Sequence, residues 1–322
     1  MNMRRLITFP ARNLLYVIPA MITAGLLTGY FFDTSPLKTL ILPVSVLMVY
    51  PAMIGIRFEE LARFTEYRLM ALNLGINFLA LPFIAFLVGR LLLASSPELF
   101  TGLVIVSVIP GGNMVVALTM MFQGNVRASL KLTAVNLLLG SLLAPFYLYL
   151  LAGRLVEVDL WQVGRTITLV VFIPLVMGMY TYRLLLRRYP PQTFKKEIKP
   201  LLPGFSSWGL MYILFTSMSL KSKMIFSHPG LLFQALASLF FFYFLVSAML
   251  ILLARNFFDQ ADGMTLFLNG LLRNLAIAIS LAVTAFDTQV AMEVALAFLF
   301  QQQIAIWFWK LDSRFALLRR PG

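Results

Sequence analysis

The sequence predicts an all-α polytopic membrane protein: ten transmembrane helices in two inverted five-helix repeats, with the fourth and ninth helices discontinuous. Three observations lead there. The chain is 60% hydrophobic and 12% charged with a mean hydropathy of +0.87, where a soluble domain carries roughly 25% charged residues. Its apolar residues gather into runs of about 20, the length that crosses a bilayer. Two of those runs are interrupted near mid-depth, by Pro110-Gly111-Gly112 and by Asn269-Gly270-Leu271-Leu272-Arg273-Asn274.

In order, the runs are Leu14 to Phe32, Leu37 to Ile56, Leu69 to Leu93, Leu99 to Phe122, Ala128 to Ala152, Leu160 to Tyr182, Leu201 to Leu220, Leu231 to Ala254, Met264 to Phe286, and Val290 to Trp309. Arg4 and Arg5 before the first run resemble a signal peptide. The run continues to Phe32 without a small-residue cleavage site, which makes it the first span. Lys and Arg in alternate loops set the orientation. One side collects Arg4, Arg5 and Arg12; Arg57, Arg63 and Arg68; Arg127; Arg183, Arg187, Arg188, Lys195, Lys196 and Lys199; Arg255; and Lys310, Arg314, Arg319 and Arg320. The other has only Lys38, Arg90, Arg154, Arg165, Lys221 and Lys223. The positive-inside rule therefore places both termini in the cytoplasm of a multi-pass cell-membrane protein. The net charge of +13 is accounted for by these loops rather than by a nucleic-acid partner.

Five spans per repeat is an odd number, which forces the halves into opposite orientations. The boundary falls between Gly153 and Asp159, giving repeats 1–153 and 154–322, with segments four and nine in corresponding places. Arg57 to Arg68 reads as a short amphipathic helix on the cytoplasmic surface.

Unwound backbone inside hydrocarbon survives only where protein or a cavity satisfies its N–H and C=O groups. Secondary transporters build substrate sites at such breaks. Gly112, Asn113, Asn269, Arg273 and Asn274 are therefore the candidate substrate-binding residues. Arg273 lies about 14 Å from the end of its span at 1.5 Å per residue, too deep to reach water easily, and intramembrane arginine faces protein or a wet cavity. Lys131 is expected to snorkel to the cytoplasmic surface. Asn136 is a weaker site candidate. Gln301, Gln302 and Gln303 read as interhelical hydrogen bonders. Glu293 is expected to be solvated near the external end, and Asp259 and Asp262 to charge a helix start. His228 is the only histidine, in an external loop. The chain has no cysteine, which excludes disulfides and thiolate metal sites. No catalytic motif occurs in a context that would license it, so the chain reads as neither an enzyme nor a cofactor binder.

The ordered set Pro110-Gly111-Gly112, Gly124-Asn125-Val126, Ser129, Thr133 and Pro145, with Arg273-Asn274 before LAIAISLAV, resembles the bile acid:sodium symporter family of the bile/arsenite/riboflavin transporter superfamily. The resemblance implies a core domain of helices 3–5 and 8–10, with helices 4 and 9 crossing beside an organic-anion site, and a panel domain of helices 1–2 and 6–7. It also implies a sodium site of oxygen ligands. Asn77 matches the amide of segment three, and Ser129 and Thr133 the hydroxyls of segment five. Ser129 and Thr133 are four apart and share a helical face. Val115 and Val116 stand where the family has a Ser-Asn pair, Asn269 where it has glutamate, and Arg273 where it has glutamine.

Sodium favours oxygen ligands and usually a carboxylate, and here the carboxylate is lost and a guanidinium gained. Two positive charges about 4 Å apart repel by about 4 kcal/mol at an effective dielectric near 20, about a thousandfold in affinity. Asn77, Ser129, Thr133, Asn269 and Arg273 are thus read as the remnant of an ion site, with Arg273 as a fixed cation and sodium coupling doubtful. The expected function is secondary transport of a small organic anion by alternating access. One alternative is arsenite efflux, whose carriers resemble this chain but carry a reactive cysteine in segment four. The other is a non-transporting membrane sensor.

Overall fold

The structure, a computed structural model, describes residues 3–55 and 66–318. Among the described residues every regular element is helical, and extended pairing is confined to one isolated bridge. The helices are α1 (Met3–Arg12), α2 (Leu14–Phe31), α3 (Ser35–Met53), α4 (Tyr67–Leu92), α5 (Pro97–Val108), α6 (Asn113–Met121), α7 (Val126–Ala152), α8 (Leu160–Arg188), α9 (Leu202–Ser227), α10 (Pro229–Phe257), α11 (Gln260–Leu271), α12 (Leu275–Ala285) and α13 (Thr288–Phe315). Of these α3, α4, α7, α8, α10 and α13 are each long and apolar enough to cross a membrane. The chain is a polytopic membrane protein. The connecting helix expected over Arg57 to Arg68 falls largely on residues 56–65, outside the described residues.

The chain divides into two compact units. One comprises Met1–Ile56, Asp159–Pro229 and Ala276–Ala295; the other comprises Arg57–Val158, Gly230–Leu275 and Leu296–Gly322. In the first, α9 lies against α2 at backbone contact. A Cβ on Gly25 would sit 2.5 Å from Phe215 O, and one on Gly29 2.0 Å from Ser219 O. Gly25 and Gly29 form a small-xxx-small stripe, which lets apolar helices associate by close approach where lipid supplies no hydrophobic drive.

In the second unit, α5 starts with Pro97 at its first position, where the missing N–H costs nothing. It stops because Pro110 disfavours helical backbone in the residue before it: Ile109 is extended, with φ −101° and ψ 95°. α4 is continuous but contains a π-helical turn over Ile76–Ala80, just ahead of Pro82. Pro82 has no N–H for the carbonyl of Phe78, and the Tyr147 hydroxyl of α7 donates to that oxygen instead. The π turn carries Asn77.

Candidate functional site

The two breaks meet. Between α5 and α6, and between α11 and α12, the chain runs extended, and Pro110 pairs with Arg273 in an antiparallel bridge. The Asn274 amide donates to Ile109 O at 3.2 Å. This approach requires Gly111, because a Cβ there would lie 2.5 Å from Leu272 O and 2.4 Å from a Val115 methyl. It also uses Gly140 of α7, where a Cβ would lie 2.4 Å from Pro110 Cδ.

Each broken helix leaves carbonyls at its C-terminal end without an intrahelical partner. Arg273 supplies donors to both ends. Its Nε donates to Val106 O at 3.0 Å and one terminal nitrogen to Ser107 O at 2.5 Å, capping α5. The other terminal nitrogen donates to Asn77 Oδ1, and to Gly270 O at 3.5 Å at the end of α11. Asn269 O accepts from Asn77 Nδ2 at 3.3 Å. The guanidinium thus engages four oxygens, and its charge is favoured by the negative end of the α5 dipole. Arg273 is 3% exposed, and among the described residues no carboxylate lies within ion-pairing distance of it. The backbone of Arg273 is held from α13: its N–H donates to Gln301 Oε1 at 2.9 Å, and Gln301 Nε2 donates to its carbonyl at 3.4 Å.

Beside this lies a second polar group. Asn269 Nδ2 donates to Ser129 Oγ at 3.2 Å and to Thr265 O at 2.9 Å, and the Thr119 hydroxyl donates to Ser129 Oγ at 3.1 Å. Thr133 is buried one turn further along α7 and makes no hydrogen bond to these residues. Gly112 and Asn274 keep partial exposure at the crossing while Pro110, Gly111 and Arg273 are buried. A Cβ on Gly112 would meet Asn274 Nδ2 at 2.9 Å. Asn113 opens α6; its side chain lies outside the described residues.

Two expectations from the sequence need correction. Lys131 does not snorkel to water: it is 4% exposed and pairs with Glu66 at 2.8 Å. A partner 65 positions earlier in the chain makes the interior a tolerable place for its ammonium. Glu293 is not solvated but 0% exposed, because the stretch of α13 from Val290 to Phe298 is buried throughout. Asp259 does cap α11, accepting from the Asp262 amide at 2.8 Å.

A family model described as the Sodium Bile acid symporter family matches residues 40–228. The chain belongs to that family. Among relatives, "Uncharacterized protein YbaS" of Bacillus subtilis is 30% identical over 276 residues, 84% of this chain and 87% of the relative. "Arsenical-resistance protein Acr3" of Corynebacterium glutamicum is 26% identical over 202 residues, 58% of this chain and 55% of the relative. "Probable sodium/metabolite cotransporter BASS2, chloroplastic" of Oryza sativa subsp. japonica is 32% identical over 114 residues, 34% of this chain and 27% of the relative. This member of the sodium bile acid symporter family is a membrane transporter of the bile acid symporter and Acr3 type.

Proposed function

We propose that this transporter carries a small organic anion across the cell membrane by alternating access, with Arg273 as a resident cation where its relatives would bind sodium. The observation that carries the reading is the guanidinium itself: buried, without a carboxylate partner among the described residues, and ringed by Asn77 Oδ1, Val106 O, Ser107 O and Gly270 O. Carbonyls of unwound helix ends are the groups that coordinate monovalent cations in secondary transporters. Four of the five guanidinium N–H groups face protein acceptors. Arg273 therefore acts on an anion mainly through its field. Direct contact falls to the partly exposed residues Gly112 and Asn274, to Asn113, and to the positive N-terminal ends of α6 and α12.

In this reading the membrane topology is ten spans in two inverted repeats, 1–153 and 154–322, with both termini cytoplasmic. Helices 3–5 and 8–10 form the core and helices 1–2 and 6–7 the panel. The division of the chain into two units supports grouping helices 1–2 with 6–7 and helices 3–5 with helix 8, while Ala276–Ala295 falls in the first unit rather than with the rest of helices 9 and 10. No chemical step is assigned to the protein. The test is a thermal-shift screen of the purified chain against organic acids in sodium and in choline buffers. A stabilising anion whose effect is indifferent to sodium is expected; ligands that bind only with sodium, or no ligand at all, would overturn the reading.

The likeness to a protein named for arsenical resistance favours a second reading, arsenite efflux. The absence of cysteine removes thiol ligation of the metalloid and weighs against it. Arsenite sensitivity of cells with and without the gene separates the two.

A further inference from the structure

Because a guanidinium only donates hydrogen bonds, Arg273 sets the polarity of a buried chain of amides. Asn77 must turn its Oδ1 to Arg273, which leaves its Nδ2 to donate onward to Asn73 Oδ1 at 3.0 Å, one turn back along α4. Asn136 Nδ2 of α7 donates to the same oxygen at 2.9 Å. Two donors converging on Asn73 Oδ1 fix that amide as well, so neither Asn73 nor Asn136 can be flipped without losing a bond. The chain then ends on three atoms without a partner: Asn73 Nδ2, Asn136 Oδ1 and, three residues before Asn136 on the same face of α7, Thr133 Oγ1. Asn73 is 0% exposed, Asn136 1% and Thr133 6%.

We propose that Asn73, Thr133 and Asn136 form a site for one internal water molecule, bound between α4 and α7 at the end of the amide chain that Arg273 orients. The two orphan amide atoms belong to the two groups joined by the Asn136–Asn73 bond, which brings them within reach of one bridging molecule. One is a donor and one an acceptor, and the hydroxyl is either. Water accepts from Asn73 Nδ2 and donates to Asn136 Oδ1 and Thr133 Oγ1, the three hydrogen bonds typical of a buried water. A metal cation is the wrong ligand, because the Asn73 N–H groups would point at it. An anion is equally wrong, because it would face the Asn136 carbonyl. The site rests on the hydrogen bonds and the unpartnered atoms alone and stands whether or not the transport reading holds.

Thr133→Val tests it by sign. Valine matches threonine in shape and lacks the hydroxyl. A hydroxyl bonded to water makes the variant melt a few degrees lower than the wild type. A hydroxyl with no partner makes it melt at the same temperature or higher, since a buried unsatisfied group is itself destabilising. Thr133→Ser keeps the hydroxyl and controls for methyl loss; it should stay closer to the wild type than Thr133→Val. An unchanged or raised melting temperature in Thr133→Val would overturn the proposal. So would a melting temperature of the wild type that climbs with one particular alkali cation and loses that response in Thr133→Val. A cryo-EM map of the full chain in nanodiscs, fine enough to resolve other internal waters, should show density within hydrogen-bond distance of all three atoms. Empty density at that position would equally refute it.

Discussion

Replacing Arg273 by glutamine is the sharpest perturbation of the crossing. The guanidinium now serves four oxygens, on Asn77, Val106, Ser107 and Gly270. Glutamine brings two N–H groups, so at least two of those oxygens lose their donor. An orphaned buried acceptor costs about 1–3 kcal/mol, which puts the loss at roughly 2–6 kcal/mol. Removing a desolvated charge returns several kcal/mol, but four bonds to a charged group at about 1.5–3 kcal/mol each outweigh that. The variant should therefore be less stable by roughly 2 kcal/mol or more in sodium-free buffer. The decisive signature is recovery in sodium. Oxygens left without a resident cation offer a coordination shell, and a cation at 100 times its Kd stabilises by about 2.7 kcal/mol, roughly 5–10 °C at about 2–4 °C per kcal/mol. Melting of wild type and Arg273→Gln in NaCl and in choline chloride reads this directly. Adding Asn269→Glu supplies the missing carboxylate and should steepen the sodium dependence. A variant as stable as the wild type and blind to sodium would refute the resident-cation argument.

Three further outcomes follow from the geometry. Gly111→Ala places a Cβ 2.5 Å from Leu272 O, an overpacking worth about 1–3 kcal/mol; it should part the two breaks and abolish transport in proteoliposomes more completely than it lowers the melting temperature. Lys131→Met removes the ion pair that Lys131 makes with Glu66 at 2.8 Å; with Glu66 still 17% exposed, the cost should be about 1–3 kcal/mol. Adding Glu66→Gln should recover much of that loss in a double-mutant melting series. In the loop before α13, burial raises the pKa of Asp287, but hydrogen bonds from Lys221 and from the Thr288 amide outweigh it and hold the carboxyl below its ordinary 3.8. A depressed carboxylate stabilises the fold above its unfolded pKa and loses that contribution as pH falls through the folded one, so Asp287→Asn should flatten the melting curve against pH below about 4.

The first break was legible because its cause is local: Pro110 and two glycines cannot continue a helix. The second was legible only through its charge. Leu272-Arg273-Asn274 has no residue that forbids helix, and it is held open by the bridge to Pro110 and by the grip of Gln301 on the Arg273 backbone. Gln301 was visible as an interhelical donor, but its target lay 28 residues away and outside any periodicity. Asn77 and Ser129 were named from family resemblance, Asn269 from the helix break as well, and the three lie in one polar network. Asn73 and Thr119 were not named, although Asn73 with Asn77 is an i, i+4 pair of amides in an apolar run, a readable sign of a polar seam. Lys131 and Glu293 were misjudged for a shared reason: their depth was counted from the span ends, whereas burial depends on what neighbouring helices cover.

The exchange at positions 269 and 273 has a charge logic of its own. A glutamate with a glutamine there, the pattern that the family resemblance implies, would leave the crossing negative and hostile to an anion until cations arrive. In the proposed reading, asparagine with arginine would leave it positive throughout the cycle. Either change alone would be costly: arginine beside a buried glutamate would neutralise the field that draws the substrate, and asparagine without arginine would leave helix-end carbonyls facing nothing. Together, in the proposed reading, they would satisfy the carbonyls and keep the attraction, which would make the pair, rather than either residue, the unit that removes the need for sodium.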